Sequence, residues 1–221
     1  YMVIAFRGTQ IHKIKDLVMD AKFKIEKKAD NQYQESLNLP SGHTGFRRGI
    51  FNLLENEFIF KKINNFIQSI NYKGNISTFP IYLTGHSLGA GLASLLIQPL
   101  IHYNYHFSGA YLFAPPLAIG KEDAKIIYQK YGKIIHEIVN YRDYIARATP
   151  YHRKKLAHIG TFYRIHRNGK IHQEKERFIN LRKREKHKII EFHRLINHII
   201  HLKKQENCNT CVEKRSKHLK R

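Results

Sequence analysis

Hydrophobic residues along the chain switch repeatedly between continuous short runs and helical spacing. Short apolar or β-branched runs predict strands at residues 1–6, 81–84, 107–113, 133–141 and 161–166. Apolar positions three and four apart predict helices at residues 51–70, 89–97, 121–131 and 177–204, with Pro99 limiting the second. Strands that alternate with helices predict an α/β fold with a mostly parallel sheet flanked by helices.

The two ends of the pattern differ from its middle. The chain opens at Tyr1 inside a strand-like run and has no Met start, which predicts an N-terminally truncated form of the fold. Residues 177–204 form a basic helical segment, and residues 205–221 are polar and basic without periodicity. We therefore expect one domain over residues 1–204 and a basic, disordered tail over residues 205–221.

One motif stands where a strand gives way to a helix. Gly85-His86-Ser87-Leu88-Gly89 has the form G-x-S-x-G. A sharp strand-to-helix turn of this kind exposes the serine hydroxyl as a nucleophile and requires small residues on either side. The N–H of Leu88 then points from the helix N-terminus to the place where an oxyanion develops. The alternative is a chance match in a glycine-bearing loop.

A serine nucleophile on this fold is followed by an acid and then a histidine base. Asp123 and Asp143 are the two aspartates after Ser87. The first lies where an acidic helix N-terminus is a sufficient explanation, whereas Asp143 follows a strand, where active groups of open α/β sheets collect. Asp143 is therefore the preferred acid, with an ordinary turn aspartate as the alternative.

The residues alone leave the base open. Six of the late histidines are candidates by their order in the chain: His158, His172, His187, His193, His198 and His201. A second oxyanion donor is expected after an early strand, where Arg7-Gly8-Thr9 offers the N–H and hydroxyl of Thr9 beside a glycine. A capping threonine is the simpler interpretation of the same residue.

The formal net charge of +22 is concentrated in the last third of the chain. Residues 151–221 contain 21 Lys and Arg against 6 Asp and Glu, and residues 1–150 contain 18 against 11. Such an excess attracts anionic membrane surfaces or nucleic acid, or is a solvated face without a partner. Cys208 and Cys211 lack two further ligands at ordered spacing, so we predict no metal site.

Six segments together resemble the class 3, or fungal-type, lipase family of the α/β-hydrolase superfamily. They match the family's F-R-G-S/T strand, D-W-x-x-D segment, H-x-G-F helix entry, serine elbow, V-N-x-x-D acid segment and H-x-G turn. In this chain the segments are residues 4–9, 15–20, 43–47, 83–93, 139–143 and 158–160. The resemblance implies that residues 1–204 form a class 3 lipase-like α/β-hydrolase domain.

The resemblance also implies the role of each site residue. Ser87 becomes the nucleophile, Asp143 the acid, and Thr9 with Leu88 the oxyanion hole. His158 lies in the H-x-G turn and is not the expected base. The family's base precedes a late helical segment, which favours His193, with His198 second and His187 third.

The function implied is a serine ester hydrolase that acts on lipid acyl esters of the triacylglycerol, phospholipid or lysophospholipid type. It needs no metal or cofactor. The amphipathic residues 10–20 are expected to form a lid, with an ordinary packed helix as the alternative. An anionic membrane surface is the expected partner and nucleic acid is disfavoured. The competing interpretation is a catalytically impaired lipase-like scaffold, or a basic protein that binds anionic membranes or nucleic acid.

Overall fold

A six-stranded sheet forms the centre of the protein. The structure is a computed structural model that describes residues 1–8, 25–26, 37–55, 58–140, 143, 146, 155–166 and 168–174. The strands of this sheet are β1 (Met2–Phe6), β4 (Ile81–His86), β5 (Phe107–Phe113), β7 (Ile135–Asn140), β9 (Thr161–Ile165) and β10 (Ile171–Gln173). They lie in the order β1-β4-β5-β7-β9-β10, and all neighbours pair in parallel except β10, which is antiparallel to β9. The predicted mostly parallel sheet is confirmed.

The strand boundaries follow the predicted runs closely, and a tight turn joins β9 to β10. β5 occupies the predicted range, while β7 is shorter than its prediction at both ends. Between β9 and β10, the N–H of His166 donates to the carbonyl of Lys170 at 2.8 Å. Gly169 has a φ of 83° in this turn, a conformation that glycine adopts without a steric penalty.

Four helices flank the sheet in the described part of the chain. They are α1 (Thr44–Leu54), α2 (Phe58–Ser69), α3 (Leu88–His102) and α4 (Lys121–Tyr131). The predicted helix over residues 51–70 is wrong in two respects: the region contains two helices, and the first of them begins seven residues earlier, at Thr44. His43 caps α1 by accepting the N–H of Gly45 at 3.1 Å, and the C-cap Glu55 has an extended ψ of 137°.

Helix α3 also runs past the predicted stop at Pro99 and ends at His102. A proline within a helix costs about 3 kcal/mol, because one hydrogen bond is lost and the ring crowds the preceding turn. Leu95, Leu96, Ile97 and Leu100 are all fully buried, and each contributes roughly 1.5–3 kcal/mol by leaving water. Packing of α3 between the sheet and α1 therefore outweighs the local cost of the proline.

A second, smaller sheet was not predicted. It contains β2 (Ile25–Glu26), β3 (Gly42–His43), β6 (Ile119–Gly120) and β8 (Leu156–Ala157), paired antiparallel in that order. Strands of two residues are too short for any periodicity to be read. This sheet connects the segment before α1 to the segments on either side of α4.

The main hydrophobic core lies between α3, α1 and the central sheet. A separate small cluster contains Val139, Ala146 and Phe162. Among the described residues, no helix has the length and apolar composition needed to cross a membrane. The basic segment 177–204 and the tail 205–221 lie outside the described residues, so the predicted domain boundary stays a prediction.

Candidate active site

The turn at Ser87 has the geometry that the motif predicts. Ser87 lies between β4 and α3 with φ 57° and ψ −124°, in a region that L-residues rarely occupy. Such a conformation costs roughly 1–3 kcal/mol and persists only where the surroundings enforce it. The Ser87 N–H donates to the carbonyl of Phe113 at 2.9 Å, and the Ser87 carbonyl accepts the N–H of Gly91 at 3.1 Å.

The two motif glycines are required by close backbone contact. A Cβ built on Gly85 would lie 2.5 Å from the carbonyl carbon and oxygen of Gly89, so the strand and the helix touch at this point. A Cβ built on Gly89 would collide with the carbonyl oxygen of Phe6 in β1. Three elements, β1, β4 and α3, therefore meet at the serine turn without space for a side chain.

The N-terminus of α3 lies directly after the serine. Leu88 is the first residue of α3, and the first-turn N–H groups of a helix have no carbonyl partner within it. In the described part of the chain the Ser87 side chain makes no capping bond to α3. The chain leaving β1 passes beside the same turn, because a Cβ built on Gly8 would lie 2.6 Å from the His86 carbonyl oxygen. Thr9 follows directly and lies outside the described residues.

Asp143 lies at the same edge of the sheet as Ser87. It follows the C-terminal end of β7, is fully buried, and donates its N–H to the carbonyl of Asn140 at 2.9 Å. Strand β5 separates β4 from β7, so the ends of these strands lie two strand spacings apart, about 10 Å. Asp123, by contrast, is in the first turn of α4, where its Oδ2 accepts the N–H and the hydroxyl of Ser41.

The structure leaves the base untested. His193, His198 and His187 lie outside the described residues. His158 is described and is only 3 % exposed. Its Nδ1 lies 2.6 Å from Oε2 of Glu137, and its Nε2 lies 2.9 Å from the carbonyl oxygen of Ala146. Both ring nitrogens of His158 are thus occupied away from the serine.

Glu137 is a residue that the sequence analysis missed. It occupies an inward-facing position of β7, between the buried Ile135 and Val139, and is 1 % exposed. A charged residue at the apolar phase of a strand was the available signal, because a buried carboxylate requires a partner.

Ser87 itself is enclosed, with only 2 % of its surface exposed. The G-x-S-x-G motif predicts an accessible hydroxyl instead. The turn holds the serine at the expected edge of the sheet, but solvent contact is almost absent in this conformation.

A strained serine between a parallel strand and a buried helix, enforced by glycine contacts, defines the nucleophile elbow of an α/β-hydrolase. The sequence profile of the class 3 lipase family matches residues 3–152. The chain therefore belongs to the class 3 lipase family, whose members are carboxylic ester hydrolases. No curated protein matches the chain in sequence.

Solved structures of fungal lipases share the fold. A fungal lipase has 20% sequence identity and a TM-score of 0.62, with 86% of this chain and 68% of that chain covered. The lipase from Rhizopus microsporus var. chinensis has 19% identity and a TM-score of 0.56, covering 74% of this chain and 53% of its own. The mono- and diacylglycerol lipase from Aspergillus oryzae has 25% identity and a TM-score of 0.53, covering 73% and 52%. The chain thus spans about half the length of the Rhizopus microsporus var. chinensis lipase.

Proposed function

We propose that the chain hydrolyses lipid acyl esters through Ser87, Asp143 and a late histidine, His193 in the first place and His198 in the second. The observation that supports this most strongly is the backbone of Ser87, which has a φ of 57° although residues with a Cβ rarely adopt this conformation. Strain of this kind clusters at active sites, where it fixes a reacting group.

The reaction follows from the surroundings of the serine. The imidazole takes the hydroxyl proton as the Ser87 oxygen attacks the ester carbonyl, and Asp143 stabilises the imidazolium that forms. The N–H of Leu88 and a second donor from Thr9 donate hydrogen bonds to the tetrahedral oxyanion and stabilise its charge. Each such donor contributes about 2.7–4 kcal/mol to transition-state stabilisation. The imidazolium then protonates the leaving alcohol, and water releases the fatty acid from the acyl-enzyme.

A covering segment is part of the proposal, because a serine that is 2 % exposed cannot receive a lipid ester. The amphipathic residues 10–20 follow Gly8 beside the serine turn, and we assign the lid to them. A lid with an apolar inner face is displaced by a lipid surface. Ester turnover should therefore rise sharply where the substrate begins to aggregate, and a flat profile would contradict the lid.

The substrate class follows from the family and from charge. The 21 basic residues within 151–221 favour an anionic lipid surface and hence a phospholipid or lysophospholipid headgroup over a neutral glyceride. Sedimentation with vesicles of neutral and of anionic phospholipid tests this preference at low and high salt. Equal binding to both vesicle types would contradict it.

The test of hydrolysis is turnover of p-nitrophenyl butyrate by Ser87→Ala and by a matched control, Ser94→Ala. Ser94 is a buried serine of α3, the helix that begins directly after Ser87, and its hydroxyl donates to the Gly91 carbonyl at 2.7 Å. We expect Ser87→Ala to lose about 10⁴-fold or more in kcat and Ser94→Ala to keep its activity. A folded wild-type chain without turnover would instead support the scaffold interpretation.

A further inference from the structure

Two buried residues beside the acid loop, Glu137 and His158, make three hydrogen bonds to the backbone and one close ion-pair contact with each other, and the reaction above uses none of them. Glu137 accepts the N–H of Ile159 at 2.9 Å and of Gly160 at 3.3 Å on Oε1. Its Oε2 lies 2.6 Å from Nδ1 of His158, and Nε2 of that ring lies 2.9 Å from the carbonyl oxygen of Ala146. The connection runs from the middle of β7 to the loop that follows it.

That loop is the one that contains Asp143. Its first fixed point is the hydrogen bond from the Asp143 N–H to the carbonyl of Asn140 at 2.9 Å. Its second is Ala146, three residues after Asp143, which is fully buried and bonded to His158. We infer that His158, oriented by Glu137, is a positioning residue that fixes the loop holding Asp143 for the triad. The inference depends on the proposed function, which makes Asp143 the acid.

The proton count of the pair supports a fixed orientation of the ring. The Ala146 carbonyl can only accept a hydrogen bond, so Nε2 of His158 must carry a proton. A contact of 2.6 Å between Nδ1 and Oε2 requires one more proton, whether it belongs to the imidazole or to the carboxyl group. The pair is therefore neutral overall, and rotation of the ring would break the hydrogen bond to Ala146 and the close contact with Glu137.

A buried pair of this kind is weak support for stability alone, because desolvation offsets its attraction. The pair matters more for the geometry of the loop that contains Asp143 than for the free energy of folding. A displacement of about 1 Å in a catalytic group costs about 100-fold in rate. The contacts of Ala146 with Val139 and Phe162 are apolar and fix distance but not direction, whereas the bond from His158 fixes the direction of the Ala146 carbonyl.

The first test compares His158→Ala with Glu137→Gln. The glutamine Oε1 can accept both backbone N–H groups while its amide donates to Nδ1, and Nε2–H still donates to Ala146. We expect His158→Ala to lower kcat on p-nitrophenyl butyrate by about 100-fold with little change in KM, and Glu137→Gln to stay close to wild type. Equal losses in both variants, or no loss in His158→Ala, would overturn the inference.

A double-mutant cycle separates positioning from stability. If His158 acts through Asp143, then His158→Ala should cause no further loss in an Asp143→Asn background. Multiplicative losses would mean that His158 acts elsewhere. Ile63→Ala is the control for stability, because Ile63 lies in the buried face of α2, away from the loop, and should lower Tm while leaving kcat unchanged. If His158→Ala does not fold, His158→Gln tests the same point, since a carboxamide at this site reaches one acceptor but not both.

Hydrogen exchange gives a readout that does not require turnover. Peptides that contain residues 140–146 should exchange faster in His158→Ala than in wild type, and Glu137→Gln should match wild type. Unchanged exchange would overturn the positioning role even if the chain is an active esterase. If Ser87→Ala shows that the proposed function is wrong, fast exchange confined to this loop still supports the hydrogen-bond tie, and unchanged exchange still rejects it.

Discussion

A methyl group at Gly85 should separate the strand from the helix that together hold Ser87. A Cβ there would lie 2.5 Å from the Gly89 carbonyl carbon and oxygen and 2.7 Å from the N of Ala90, all of them backbone atoms. Ordinary contacts of this type begin near 3.4 Å, so α3 must move by about 1 Å relative to β4. Gly85 does not have a positive φ, so Gly85→Ala tests space and not backbone conformation.

That shift of α3 should lower both the free energy of unfolding and kcat. Overpacking of this kind costs typically about 1–3 kcal/mol in the free energy of unfolding, or about 2–12 °C in Tm for a domain of this size. A displacement of about 1 Å between the serine and its partners should lower kcat by about 100-fold. The fall in kcat should therefore be much larger than the loss of stability suggests.

The assay is thermal unfolding together with p-nitrophenyl butyrate turnover, and Gly49→Ala is the matched control. A Cβ on Gly49 meets only the end of the Leu92 side chain, at 3.0 Å, which can rotate away. Alanine is favoured over glycine in a helix by about 1 kcal/mol, so this variant should keep its stability and activity. Wild-type kcat in Gly85→Ala would refute the reasoning that close strand–helix contact positions the serine.

Three further predictions concern the base, the second aspartate and pH. His193→Ala should abolish ester turnover and His198→Ala should retain it; the reverse would exchange their roles. Asp123→Asn should lower the free energy of unfolding by about 1–3 kcal/mol, because the buried carboxylate accepts the N–H and hydroxyl of Ser41, and should leave kcat unchanged. Burial, and then nearby basic groups, lower the pKa of His166, so the folded state favours the neutral form of this side chain. Stability should fall as pH drops through the ordinary histidine range, and His166→Gln should reduce that fall in thermal unfolding.

The strands next to the site could be predicted because their sequence signals were local. The run at residues 107–113 matches β5 in both bounds, and the G-x-S-x-G motif gave the turn between β4 and α3. The secondary-structure predictions that were wrong or missing lie where tertiary packing overrides a local sequence signal. Pro99 does not stop α3 because most of the helix is buried, and the two-residue strands of the second sheet depend on partners far along the chain.

The same distinction applies to the candidate site, where residues in local motifs could be predicted and long-range contacts could not. Ser87 could be predicted from five adjacent residues, and Asp143 from its place after a strand. The interaction of Glu137 with His158 could not, because 21 residues separate them and only the pairing of β7 with β9 brings them together. The enclosure of Ser87 also depends on packing around the turn, which the motif itself does not describe.

The most direct test of the central claim is labelling of the folded chain with a fluorophosphonate probe, followed by mass spectrometry of the modified peptide. We expect a single adduct on Ser87 that disappears in Ser87→Ala and after thermal unfolding. An unlabelled folded chain, in the presence of lipid as well as in water, would contradict the claim that this turn holds an activated nucleophile, as would labelling that persists in Ser87→Ala.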